Sequence, residues 1–531
     1  MAAMSDWKNA PARSKSLAIS RREFTARAVA LGAAAAFAPT IVGGAGALAD
    51  TPKRGGLLRL AMVGGSQADS LDPRSYVDTV MICVGRGLFN GLVELSVDGK
   101  AAPELASNWD TRSSAAEWVF NLRKGVRFSN GQEFTADDAI YSLNLHRGET
   151  KSNAANVMKP VADIKKLDKY QIAVTLAAPD ADFPYVLTDP HLLMVPADFK
   201  DWSKPVGTGA FVLEKFEPGA RIALKKANGD FWKDGRGHVE AADITIIIDG
   251  AERIDALISG QADIINRLAP KALALLAKAP KTEIVRASGG WHPVLAMATD
   301  RAPYDNPDVR LAMKYAVDRE QLLKALFGGY GALGNDHPIP PSDPYFNKEI
   351  PQRKRDPDKA TFYLRRSGLD PSIVLQVSEA AFAGGVDMGA LVQASAGKAG
   401  FKMEIKKEPA EGYWDNVWLK GAFVESYWPG RPAATQMLSI AYGAEAPRNE
   451  THWKNEKFEK LLADAKEETD EARRKSYIWE MQALLSDQGG AIIPLFRDWI
   501  DAHRTGVGGH TPHSEFEMDN GYILEKAFLK T

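Results

Sequence analysis

Apolar positions along the chain alternate between short unbroken runs and the i, i+3, i+4 spacing of a helix, which predicts an α/β protein. Residues 244–248 form a continuous apolar run and predict a strand. Asp249-Gly250 turns the chain, and residues 251–259 place Ile254, Leu257 and Ile258 on one helical face. Gly260 stands at the C-cap, and residues 262–265 supply the next strand, completing a βαβ unit. Asn306-Pro307-Asp308 combines a cap, an N1 proline and a first-turn acid. Val309, Ala312, Met313, Ala316 and Val317 follow at helical spacing. Asp318 starts a second helix through Leu322, Leu323 and Leu326, which Gly328-Gly329-Tyr330-Gly331 stops. Two further stripes, Phe458/Leu461/Leu462/Ala465 and Tyr477/Met481/Leu484/Leu485, read as core. Residues 491–496 predict a buried strand.

One stretch carries more than periodicity. Residues 118–143 begin Trp-Val-Phe-Asn-Leu-Arg-Lys-Gly-Val-Arg-Phe-Ser-Asn-Gly and continue Gln-Glu-Phe-Thr-Ala-Asp-Asp-Ala-Ile-Tyr-Ser-Leu. Residues 119–122 and 126–128 are strand-like runs broken at Lys124-Gly125, and Asn130-Gly131 is a turn signal. Thr135-Ala136-Asp137-Asp138 is a capping box that opens a helix carrying Ala139, Ile140 and Leu143. Its polar groups are used locally, so the stretch is expected to build the fold and to lie away from any ligand.

This segment resembles the signature segment of the peptide/opine/nickel family of extracytoplasmic solute-binding proteins (family 5), the receptors of ABC importers. Gly207-Thr208-Gly209-Ala210-Phe211 with Glu217-Pro218-Gly219 is similar to a further block of that family. So are residues 228–232, 253–263 and 306–320, Asp356-Pro357-Asp358-Lys359-Ala360 and Ile492-Ile493-Pro494-Leu495-Phe496, in order. The resemblance implies a type II periplasmic-binding-protein fold, two lobes with a hinge plus an extra domain inserted in lobe one. Lobe I would comprise residues 50–85, 205–290 and 495–531, the extra domain 86–204 and lobe II 291–494. Hinge crossings are expected near Met297 and near Pro494. The implied function is capture of a small peptide-like or amino-acid-derived solute by lobe closure and its delivery to an inner-membrane ABC permease. The receptor would be a monomer, without a cofactor and without covalent chemistry. A carrier of a metal complex or haem is the alternative within binding proteins; a periplasmic hydrolase or a sensor domain is the alternative outside them.

The N-terminus agrees with export. Ser20-Arg21-Arg22-Glu23-Phe24 reads as a twin-arginine motif, an Ala/Gly-rich stretch follows, and Ala47-Leu48-Ala49 is a small-x-small cleavage site. Residues 1–49 are therefore expected to be a signal peptide, and the mature chain to be periplasmic. Cys83 is the only cysteine, which excludes an intramolecular disulfide and leaves no N-terminal cysteine for a lipid anchor. The full chain has a net charge of −2; without residues 1–49 it keeps 60 basic against 66 acidic residues. That mildly acidic balance gives no basic footprint for nucleic acid.

Motifs for an enzyme are missing from the sequence: there is no G-x-S-x-G elbow, no H-E-x-x-H and no P-loop. Gly85-Arg86-Gly87 with Gly91 misses the dinucleotide fingerprint by one position. His503, His510 and His513 lie in a Gly/Pro-rich tail with no acidic or thiolate partner close in sequence, so they read as exposed loop histidines before metal ligands. Aromatic residues cluster in Glu411-Gly412-Tyr413-Trp414-Asp415-Asn416-Val417-Trp418 and in Glu425-Ser426-Tyr427-Trp428-Pro429-Gly430-Arg431-Pro432. Trp and Tyr offer rigid area with a polar edge, which suits a pocket. Trp428, Tyr427 and Trp414 are candidate ligand contacts, with helix or strand core as the competing reading.

The second segment resembles the strand-to-loop region that lines the family's cleft. Peptide-binding relatives place an acid just after the tryptophan; here Pro429-Gly430-Arg431 follows instead. An arginine fork suits carboxylate or phosphate. If Arg431 faces the cleft, the ligand carries an anionic group; otherwise it is a surface arginine in a loop. Trp291, at the expected lobe crossing, is a further candidate. Ser66 and Asp69, after the first strand, complete the set.

Overall fold

The computed structural model of the protein describes residues 52–112, 114–370 and 372–530. The expected signal peptide lies outside the described residues. Three sheets organise the rest. The first runs Thr282–Ser288, Leu495–Arg504, Ile264–Ile265, Leu57–Met62, Ala241–Ile246, Arg221–Lys226 and Phe211–Glu217, and Gly331–Leu333 also pairs with Leu495–Arg504. The second runs Lys402–Lys407, Ser372–Val377, Phe423–Trp428, His292–Met297 and Ala491–Ile492. The third is the antiparallel series Ala106–Arg112, Glu117–Leu122, Gln171–Leu176 and Val161–Asp168. The mixed α/β, two-lobed architecture with an added sheet is the fold class expected.

Alternation along each strand decides which core a residue joins. In Leu57–Met62, Leu58, Leu60 and Met62 enter one core with Val80, Val84 and Leu524, while Ala61 enters the other with Ile254, Leu257 and Ile500. Leu57–Met62 lies between Ala241–Ile246 and Ile264–Ile265, parallel to both, so the βαβ unit straddles it. Its helix Gly250–Ser259 is capped by Asp249 and closed by Gly260 at φ 82°. In the second sheet, Val294, Ala296, Val424 and Trp428 share one core, and Leu295, Met297 and Phe423 share the other.

Residues 118–143 lie in the third-sheet domain, where Trp118, Phe120, Leu122, Phe134, Ala139 and Leu143 share its core. The capping box forms: the Thr135 N–H donates to Asp138 Oδ2 at 2.7 Å at the start of Ala136–Asn144. Residues 126–128 do not make the second strand expected. Arg127 pairs only with Glu133, as an isolated bridge around the Asn130-Gly131 turn.

Of the two passages between the first and second sheets, the return near Pro494 lies where expected, while the first crossing and the strand expected at 491–496 need correction. The first crossing is at residues 289–291, between Thr282–Ser288 and His292–Met297, and not near Met297. The apolar residues up to Met297 are a full strand of the second sheet, so the chain has to change sheets at the glycines before it. A Cβ on Gly290 would come within 2.8 Å of Gly430 Cα, so the two chain segments touch backbone to backbone. The return is at Ile493-Pro494, and it divides the expected strand 491–496 between two sheets.

Among the described residues no helix is long and apolar enough to cross a membrane.

Candidate functional site

At the first crossing, segments from all three bodies converge on one pocket. It is lined by Gly290, by the loop after Phe423–Trp428 (Gly430, Arg431) and by residues 338–340 and 342–344. The C-terminal segment contributes Ser514 and Glu515, and the hairpin loop between Val93–Leu95 and Ala101–Pro103 contributes Gly99. The enclosed cavity between them is small, about 30 Å³.

Three ionisable groups meet there. Arg431 is half-buried, and its Nη1 donates to the Gly430 carbonyl at 2.8 Å, so most of the guanidinium's five donors are left for other partners. Burial lowers its pKa while the nearby Glu515 opposes that shift. Burial pushes the Glu515 carboxyl up to about 7, against the pull of Arg431 and with a push from Asp343. Burial also raises Asp343 to about 7, although its Oδ1 accepts the Tyr345 N–H at 2.7 Å. The pocket thus holds one permanent cation and two acids that titrate near neutrality, a set suited to an acidic or zwitterionic solute.

Beside it stands an aromatic wall. Trp291 stacks on Tyr427 with centroids 5.7 Å apart and planes 26° apart, and meets Phe382 edge-on at 5.5 Å. Trp414 packs edge-on against Tyr427 at 5.8 Å and Trp418 at 5.5 Å, and is half-exposed.

The structure therefore brings Trp291, Tyr427, Trp414 and Arg431 to one neighbourhood, and leaves three candidates out of it. Trp428 is turned to the opposite face of its strand from Tyr427 and is 3% exposed. Its indole N–H donates to Glu450 Oε1 at 2.9 Å, and the Trp418 indole donates to the other oxygen at 2.6 Å. Ser66 and Asp69 are consumed by their own turn: the Ser66 N–H donates to Asp69 Oδ2 at 2.8 Å and the Ala68 N–H to Ser66 Oγ at 3.2 Å.

The histidines of the tail are buried, not exposed. His503 Nδ1 lies 2.8 Å from the Arg504 carbonyl, and His513 Nε2 lies 3.1 Å from the Ser96 carbonyl. The tail folds back because Phe528–Leu529 pairs with Val507–Gly508, a return that composition does not announce. Among the described residues no three His, Cys, Asp or Glu side chains are grouped to hold a metal ion.

Sequence reasoning missed Asp343, Glu515 and also Arg497, whose guanidinium lies 4.6 Å from the Trp291 ring centroid. The first two sit in loops without periodicity. A charge directly after the apolar run that ends at Phe496 was the available signal for the third.

Residues 100–447 match the model of the bacterial extracellular solute-binding proteins, family 5, middle region. The glutathione-binding protein GsiB of Salmonella paratyphi A is 29% identical over 313 residues, 57% of this chain and 60% of the relative's length. The di/tripeptide-binding protein 1 of Pseudomonas aeruginosa is 26% identical over 463 residues, 78% of this chain and 85% of that protein. The fold is similar to that of the periplasmic binding protein DppA from Helicobacter pylori, solved with the peptide STSA. That match has a TM-score of 0.71 at 22% identity and covers 90% of this chain and 99% of the other. The family match takes in well over half of the sequence and reaches from the third-sheet domain to the loop beyond Arg431; the chain belongs to the bacterial extracellular solute-binding proteins of family 5.

Proposed function

We propose that this protein is the periplasmic solute receptor of an ABC importer, capturing an acidic, peptide-like or amino-acid-derived solute between two lobes and delivering it to the permease. The observation that carries the reading is the pocket at the crossing, where Arg431 from one lobe faces Glu515 from the other. A solute touching both lobes stabilises the closed arrangement by its differential contacts, and the closed arrangement is what a permease can recognise. Glutathione and di- or tripeptides, named for the relatives, are small peptides with free carboxylates, and they support the same class. On this reading lobe I comprises residues 50–85, 205–290 and 495–531, the extra domain 86–204 and lobe II 291–494. Trp291, Tyr427 and Arg431 contact the solute, with Trp414 at the rim.

A thermal-shift panel of glutathione, dipeptides and tripeptides tests this. A ligand at a hundredfold excess over its Kd stabilises the folded protein by about 2.7 kcal/mol. A panel in which nothing raises the melting temperature overturns the peptide-like assignment. For a peptide that does bind, Arg431→Ala is expected to weaken affinity at least about tenfold, and Arg431→Lys nearly as much, because an ammonium cannot reproduce a two-pronged contact. Unchanged affinity in Arg431→Ala removes the acidic-group assignment.

Export by the twin-arginine route is part of the proposal. Changing Arg21 and Arg22 together to Lys is expected to leave precursor in the cytoplasm, since such signals are read by a receptor and charge alone does not replace them. Normal periplasmic levels of that variant, measured by fractionation, would refute it.

A further inference from the structure

Strand Leu495–Arg504 opens directly after the return crossing, and alternation sets Arg497 and Trp499 on the same face. The Arg497 guanidinium is held between two indoles, 4.6 Å from the Trp291 centroid and 4.9 Å from the Trp499 centroid. One indole comes from the crossing and the other from the arginine's own strand. Stacking of this kind fixes the plane of the guanidinium and leaves its N–H edge to donate. That edge is not used up: Arg497 Nε is buried and finds no partner among the protein's own groups.

The Trp499 indole nitrogen beside it is also buried and without a partner. It faces the crossing, since a Cβ on Gly289 would come 2.8 Å from it. Glu517, whose charge acts on Arg497, is already paired with Arg267. Two adjacent donors without an acceptor are costly in a packed fold unless something else supplies the acceptor. Each residue keeps part of its surface exposed, while the two nitrogens themselves are covered. Arg431 is a separate group, on the loop after Phe423–Trp428.

We propose that Arg497 and Trp499 anchor a carboxylate of the captured solute at the foot of the cleft. The proposal rests on the solute-receptor reading and adds to it a second recognition point, which selects solutes with a free acid. Burial lowers the Arg497 pKa only to about 10, so the anchor stays charged throughout the physiological range.

The test compares matched probes by calorimetry: glutathione, alanylalanine and trialanine, each against its C-terminal amide. Wild type, Arg497→Gln and Trp499→Phe are titrated with all six. At least one free acid is expected to bind, with its amide at least about tenfold weaker. Arg497→Gln should weaken the acid about as much and leave the amide unchanged. Trp499→Phe, which keeps the ring and loses only the N–H, should weaken the acid a few-fold. If acid and amide bind wild type alike, or Arg497→Gln holds the acid as wild type does, the anchor is wrong while the receptor reading stands. If no probe binds, acid or amide, the peptide-like reading falls and the anchor falls with it. Should Arg497→Gln fail to fold, Trp499→Phe decides by the same comparison: an acid held as tightly as by wild type overturns the anchor.

Discussion

Replacing Arg474 by alanine is expected to destabilise the protein by about 3–5 kcal/mol, the usual consequence of leaving a buried charge without its partner. Arg474 lies on helix Glu471–Gln488, which packs against the second sheet, and pairs with Asp182 of the third-sheet domain; the side chains are 6% and 1% exposed. Asp182 also accepts the Thr435 hydroxyl. Arg474 donates to the Ala465 carbonyl at 3.0 Å and lies over the Tyr345 ring at 5.3 Å. Next to the pair, the Ala181 N–H donates to the Lys466 carbonyl at 2.7 Å. The junction therefore joins two bodies beside the pocket of Arg431 and Glu515, close enough for both charges to act on Asp343. Its loss should show first as faster amide exchange around residues 181–188 and 434–442, and then as a lower denaturation midpoint. Replacing both partners, as Asp182→Leu with Arg474→Met, should recover much of the loss because no lone charge remains. An Arg474→Ala protein with wild-type midpoint and wild-type exchange would contradict the assignment.

The second large effect is a pH dependence. Glu515 is held up to about 7, above the usual carboxylate range, so between about 4.5 and 7 the folded protein keeps a proton that the unfolded chain has released. Stability from this group therefore falls as pH rises through that window, by up to about 3 kcal/mol. Asp343, also held near 7, contributes with the same sign. His146, His292 and His337, buried with pKa values lowered to about 4, work in the opposite direction below neutrality. The informative quantity is therefore the difference between wild type and Glu515→Gln. Wild type should lose stability relative to the variant as pH rises from 5 to 8, and should hold an acidic solute less tightly at pH 8 than at pH 5.5. Parallel stability profiles for the two proteins would contradict the raised Glu515 pKa.

Local signals proved legible wherever a residue's role is decided within a few positions of it. The caps at Thr135, Asn306 and Asp318 form, and Gly260 and Gly328 end their helices at φ 82° and 62°. Family resemblance carried the overall architecture. The site was harder to read because its geometry depends on parity and on distant partners. Tyr427 and Trp428 are neighbours with the same chemistry, yet one faces Trp291 and the other enters the core, where Glu450 accepts its N–H. Nothing within the aromatic segment distinguishes them. Ser66 and Asp69 have the polarity of ligand contacts, but a turn spends it. Asp343 and Glu515 gain their character from burial by segments more than fifty residues away in sequence, which no spacing rule encodes.

The position of strand Leu495–Arg504 has a consequence for how the chain is made. It lies within the first sheet, between Thr282–Ser288 and Ile264–Ile265, and pairs along most of its length with the former. The ribosome delivers this strand last of all the strands in that sheet, more than 400 residues after Leu57–Met62. The first body must therefore wait with an unfilled slot and exposed strand edges until residues 495–504 have been made, a state open to aggregation. The proposed twin-arginine route, which carries folded cargo, would let that last insertion happen on the side of the membrane where synthesis and chaperones are, and would send out a protein whose edges are already paired.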